Sequence, residues 1–193
     1  MSSEIIKQLR QITGAGVLDC QEALKESNDD LDKAIEFLRK KGQKFADDKG
    51  SRTTNEGVVE SYIHSNNKIG VLLELVCETD FVARNEEFKK LAHDIALHIA
   101  AANPQWKERE EVPAEIIEKE KQIYKATLKN EKKPEKIVVK IAENKLEKFY
   151  NTSCLLEQAF VKDDKITIKA LVQAMTAKLG ENIQVKRFIR FSL

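Results

Sequence analysis

Asp94 and His98 stand four residues apart, which on one helix turns a carboxylate and an imidazole to the same side, as binding of a divalent cation requires. Such a site needs a third ligand. None lies nearby in the sequence, and His93 projects about 140° away from His98 around the helix. Cys20, Cys77 and Cys154 are odd in number, far apart and free of any Cys-x-x-Cys pair, which argues against both a disulfide framework and a thiolate metal site. No Gly-rich phosphate loop, nucleophile elbow or His-Glu-x-x-His helix occurs. Neither a metal nor a cofactor is expected, and the chain is not expected to be an enzyme. Thr79-Asp80-Phe81-Val82 offers different chemistry, an anion beside an apolar ring. Taken alone, Phe81 reads as core and Asp80 as a helix cap. Their position changes that reading. The tetrapeptide falls where a strand pattern over 68–77 gives way to a helical one over 85–102, and such loops are where binding residues concentrate.

The elements that must position this loop follow from hydrophobic period. Ile5, Ile6, Leu9 and Ile12 recur at helical spacing, then Val17, Leu18, Ala23 and Leu24, then Leu31, Ala34, Ile35 and Leu38. Gly14-Ala15-Gly16 breaks the first run, and Ser27-Asn28-Asp29-Asp30 supplies capping oxygens for the third. A three-helix domain over 1–42 is expected. Residues 43–56 contain too few apolar side chains to bury themselves and read as a linker. From Gly57 the period becomes two on both sides of Ser65-Asn66-Asn67, which predicts a β-hairpin. Phe88, Leu91, Ala92, Ile95, Ile99 and Ala102 mark a helix face capped by Asn85. Ile116, Ile117, Ile123, Tyr124, Thr127 and Leu128 form a stripe after Pro113, and Val138, Ile141, Ala142, Leu146 and Phe149 form a second after Pro134. The two should pair as a helical hairpin over about 112–150. Phe160-Val161 leads into a turn at 162–165, then a helix over about 168–179 stops at Gly180. Ile183, Val185, Ile189, Phe191 and Leu193 share one parity of a closing strand, interrupted at Arg187 and Phe188. The fold class is α+β, with a core domain over 57–193 built on a small antiparallel sheet.

Composition bounds the partners. Lys and Arg number 33 against 32 Asp and Glu, a net charge of +1, so bulk electrostatics draws the chain to neither nucleic acid nor membrane. No apolar run approaches the roughly 18 residues of a spanning helix, and the first residues lack a signal-peptide pattern. A cytoplasmic protein is expected, or one in an organelle matrix after import.

The sequence resembles elongation factor Ts. Residues carrying the resemblance are 9–16 (Leu-Arg-Gln-Ile-Thr-Gly-Ala-Gly), Asp19-Cys20, Thr79-Asp80-Phe81-Val82, 93–101, 177–182 (Ala-Lys-Leu-Gly-Glu-Asn) and 187–191 (Arg-Phe-Ile-Arg-Phe). The resemblance implies guanine-nucleotide exchange on elongation factor Tu, in its GDP-bound and nucleotide-free forms. It implies that the first domain is ubiquitin-associated-like and touches the partner through Arg10, Val17 and Leu18. It implies that Thr79, Asp80, Phe81 and Val82 disturb the partner's magnesium and phosphate site, with further contacts from His64, Leu179 and Gly180. Longer family members carry two similar core halves, whereas one Thr-Asp-Phe-Val occurs here, which implies a short form completed by homodimerisation. The competing expectation, from the three-helix pattern alone, is an interaction adaptor without exchange activity.

Overall fold

A computed structural model describes residues 3–129 and 135–193. Pro134, expected to interrupt the two helical stripes, lies outside the described residues, as do the side chains of Thr127 and Leu128. The architecture is α+β: helices α1 (Ser3–Thr13), α2 (Val17–Glu26) and α3 (Leu31–Lys49), strands β1 (Glu56–Ile63) and β2 (Ile69–Cys77), and helices α4 (Asp80–Ala83), α5 (Glu86–Ala102), α6 (Ala114–Lys129) and α7 (Glu135–Ser153). Strands β3 (Ala159–Phe160) and β4 (Asp163–Thr167), helix α8 (Ile168–Leu179) and strand β5 (Gln184–Ser192) complete it. The chain divides into two compact units, one of Met1–Glu60, Glu74–Ala92 and Ala170–Lys186, the other of Ser61–Leu73, His93–Lys169 and Arg187–Leu193.

In the first unit α1, α2 and α3 close on Leu9, Cys20, Ala23, Leu24 and Ala34, with Ile5, Ile6, Leu31, Ile35 and Leu38 packed around them. Asp30 caps α3 by accepting the Lys33 N–H at 3.1 Å. The third helix does not stop near Leu38. It runs to Lys49, so residues 43–49 of the expected linker are helical and only 50–55 separate α3 from β1. Neighbouring elements hold this extension in place. Lys41 reaches Asp19 and Glu22 on α2, Gln173 of α8 donates to Asp47 at 3.1 Å, and a Cβ at Gly42 would lie 3.3 Å from the Ala177 Cβ.

Strand order in the larger sheet is β1-β2-β5, and its central strand is the most buried, with Val71, Leu73, Leu75, Val76 and Cys77 inside. Gly57 is demanded by close approach, because a Cβ there would stand 2.2 Å from the Leu75 carbonyl oxygen. The parity expected for β5 holds only at its start. Ile183 and Val185 are buried, but Ile189, Phe191 and Leu193 are exposed, while Arg190 donates to the Ala100 carbonyl at 3.2 Å. Lys186 and Arg187 are both exposed, so the alternation shifts by one residue there and the later apolar side chains face outward.

In the second unit α6 packs on α7. Val112, Tyr150 and Cys154 form its base with Trp106, Ile116, Ile117, Leu146 and Phe149 around them. The turn expected at 162–165 falls earlier, because β4 begins at Asp163 and pairs antiparallel with β3, Phe160 opposite Asp163. Among the described residues, no helix is long and apolar enough to cross a membrane.

Candidate functional site

Helix α4 is a single turn, too short to form by its own backbone bonds. Thr79 starts it. Its hydroxyl oxygen accepts the Val82 N–H at 3.5 Å and its carbonyl accepts the Ala83 N–H at 3.2 Å. Ala83 is buried and anchors the turn, leaving Phe81 to project with 82% of its surface exposed. The core reading of Phe81 is thereby overturned. Asp80 lies inside the first turn rather than at the cap, and its carboxylate pairs with Arg84 at 3.0 Å.

The segment entering α4 is held by residues that follow α8. Glu181 accepts three bonds: from the Thr79 hydroxyl at 2.6 Å, the Thr79 N–H at 3.0 Å and the Glu78 N–H at 3.2 Å. Glu78 in turn accepts the Asn182 N–H at 2.7 Å, and this bond, with Arg52 nearby, holds its carboxyl below the usual carboxylate range. Asn182 is itself buried and donates to the Arg52 and Gly50 carbonyls at 2.8 and 3.3 Å. Burial, with the Glu181 charge behind it, pushes the Cys77 thiol up to about 11, so it stays protonated and donates to the Thr79 carbonyl at 3.2 Å. Leu179 and Gly180 form the turn between α8 and this brace. Gly180 takes φ +77° and donates its N–H to the Thr176 carbonyl at 2.9 Å, the left-handed helix stop that favours glycine.

The same end of α8 meets the turn between α1 and α2. A Cβ on Gly14, whose φ is +69°, would lie 3.1 Å from the Lys178 side chain, and Lys178 pairs with Glu87 at 2.6 Å. Beside this turn Val17 is 44% exposed and Leu18 79%, so both leave the core to which the helical period assigned them. Arg10 is exposed as well. Ile12, read as core, is also exposed, and no sequence signal separated it from Leu9. Within the first unit, residues 178–182 thus meet the Gly14 turn through Lys178 and the segment entering α4 through Glu181 and Asn182. His64 lies in the second unit, half-buried, its Nδ1 3.2 Å from the Tyr62 hydroxyl.

Asp94 and His98 are occupied otherwise than as ligands. Asp94 accepts from Lys162 at 2.6 Å. His98 is almost wholly buried, which lowers its pKa and keeps the ring neutral. Its Nδ1 accepts the Val161 N–H at 3.2 Å, so Nε2 carries the proton that Gln158 accepts at 2.9 Å. Among the described residues no group of three or more His, Cys, Asp or Glu side chains is placed to hold a metal.

The exposed side chains on these braced turns offer a ring and aliphatic groups rather than a nucleophile and its base, the kind of surface that protein contacts use. Comparison with known proteins gives the family. The chain belongs to the elongation factor Ts family, whose model matches residues 20–193. Proteins named elongation factor Ts from Petrotoga mobilis and Fervidobacterium nodosum are 58% and 56% identical over the whole chain, each covered to 98% of its own length. That of Carboxydothermus hydrogenoformans is 53% identical and covered to 89%. Membership places the chain among translation elongation factors.

Proposed function

We propose that this chain is a guanine-nucleotide exchange factor for elongation factor Tu: it binds Tu·GDP, disturbs the magnesium and phosphate site, and speeds GDP release so that GTP can enter. The observation that carries this reading is Phe81, an aromatic ring 82% exposed on a turn braced from behind. A nucleoside diphosphate is held by Mg²⁺ and by backbone amides around its phosphates. A ring that wedges beside those elements, with the Asp80 anion at its side, weakens the site without touching the base. Each 1.4 kcal/mol of such destabilisation gives about tenfold in release, so a thousandfold effect needs about 4 kcal/mol, within reach of one buried aromatic with loss of the metal. By linkage the nucleotide weakens factor binding equally, so GTP entry expels the factor. Arg10, Val17 and Leu18 supply docking contacts, with Leu179, Gly180 and His64 as further ones. The factor makes and breaks no covalent bond.

The test is stopped-flow decay of a fluorescent GDP bound to Tu under excess unlabelled nucleotide. Release that rises with factor concentration and saturates is the expected result. A rate equal to the spontaneous one would leave the three-helix adaptor as the better reading.

The homodimer belongs to the same proposal. Ile63, Leu72, Ile189, Phe191 and Leu193, all on sheet strands or at their ends in the second unit, are exposed at 63%, 46%, 49%, 61% and 100%. A Cβ on Gly70 would sit 3.1 Å from Ile63 Cδ1, so Ile63 lies across the middle strand on the face that Leu72 shares. Such a face is suited to a second copy of the sheet, in an isologous contact. Phe191→Asp is expected to weaken the dimer about a hundredfold, because it buries an unpaired carboxylate at the contact. Sedimentation equilibrium of the two proteins decides it, and an unchanged association constant would remove this face from the interface.

A further inference from the structure

We propose that Glu181 is a positioning residue for the exchange contact: its carboxylate sets the conformation of Thr79, and through Thr79 the direction in which α4 presents Phe81. The inference rests on the exchange reading above and assigns a role to a side chain outside the expected contact set.

Three donors from two consecutive residues converge on this one carboxylate. Oε1 takes the Thr79 hydroxyl proton at 2.6 Å, while Oε2 takes the N–H groups of Thr79 and Glu78 at 3.0 and 3.2 Å. Once its proton is committed to Glu181, the Thr79 hydroxyl has only lone pairs to offer α4, and it faces the Val82 N–H at 3.5 Å. Glu181 therefore selects the hydroxyl rotamer that caps the turn. The reverse arm, Asn182 N–H to Glu78 at 2.7 Å, ties the two segments together in both directions. Within α4 only Ala83 is buried, so the turn has little packing of its own to fix the orientation of Phe81. Charge is needed as well as shape. Glutamine is isosteric, but its NH₂ group confronts donors where the carboxylate accepts them, so it keeps only part of the set.

The experiment compares wild type, Glu181→Gln, Thr79→Val, Thr79→Ser and the double variant Glu181→Gln/Thr79→Val. Two readouts are taken: GDP release from Tu across a concentration series of factor, and amide hydrogen exchange of the free factor at Glu78, Thr79 and Val82. Glu181→Gln is expected to lower the maximal release rate about tenfold, with the half-saturating concentration moved less than about twofold, since docking residues are untouched. Thr79→Val should match it, Thr79→Ser, which keeps a hydroxyl between Glu181 and Val82, should lose less than Thr79→Val, and the double variant should be no slower than the slower single one. Amide protection at Thr79 and Val82 should fall in Glu181→Gln while that of α8 persists. If wild type itself does not speed release, the exchange reading falls and this proposal with it. If wild type is active and Glu181→Gln keeps its maximal rate, the brace alone is overturned. Additive losses in the double variant, or a shift confined to half-saturation, overturn it too, because Glu181 would then act apart from Thr79.

Discussion

Phe81→Ala should reduce the maximal rate of GDP release from elongation factor Tu about a hundredfold and leave the factor's thermal unfolding unchanged. Both halves follow from one number. With 82% of its surface already in water, Phe81 buries little in the free protein, so truncation forfeits little transfer free energy and opens no cavity. The turn that carries it is kept by Thr79, Ala83 and the Glu181 brace, none of which touches the ring's own stability. On the proposed exchange reading the same ring is the aromatic anchor of the complex, and losing such a group costs about two or more kcal/mol, hence about a hundredfold. Stopped-flow release and a circular-dichroism melt on one preparation check the pair. At this chain length a kcal/mol moves the midpoint by about 2–4 °C, so a drop larger than that would return Phe81 to the core.

The sequence made the regular elements legible because period and punctuation act locally: the hairpin around Ser65-Asn66-Asn67, the Asn85 cap that accepts the Glu87 N–H at 2.8 Å, and the stop at Gly180. It misled wherever a distant segment decided the outcome. Residues 43–49 are helical because Lys41, Gly42 and Asp47 meet α2 and α8, contacts that a local count of apolar residues cannot register. Lys49 over the Phe45 ring, 4.7 Å from its centroid and four residues on, was the one local signal available. The exposed Ile189 and Phe191 were assigned inward because strand parity was carried through Arg187, where the alternation slips. For the site, Phe81 taken alone reads as core, since an aromatic is more often buried, and only the position of Thr-Asp-Phe-Val between a strand and a helix pointed to its exposure. Glu181 stood within the 177–182 motif, but nothing in the sequence gave it a role. Its role depends on the fold bringing it to Thr79 and Glu78, which lie 102 and 103 positions earlier in the chain.

Phe88, seven residues beyond Phe81, should behave in the opposite way. It has no exposed surface and sits on the first turn of α5, just after the Asn85 cap. Truncation there removes a whole buried ring from a site whose neighbours on the same helix, Leu91 and Ala92, are buried as well, so partial collapse cannot refill the space. Phe88→Ala should therefore lose about 3–5 kcal/mol, a large share of the roughly 5–15 kcal/mol that holds a folded domain, and lower the midpoint by about 6–20 °C. Melts must be run at one protein concentration, because self-association of the kind proposed makes the midpoint move with dilution. Well below its own midpoint the variant should still release GDP within about threefold of wild type, since Thr79, Phe81 and Glu181 keep their mutual bonds. Together the two substitutions separate display from support: one aromatic matters only to the partner, the other only to the fold. A Phe88→Ala protein that melts with wild type would mean that α5 is not held by this face.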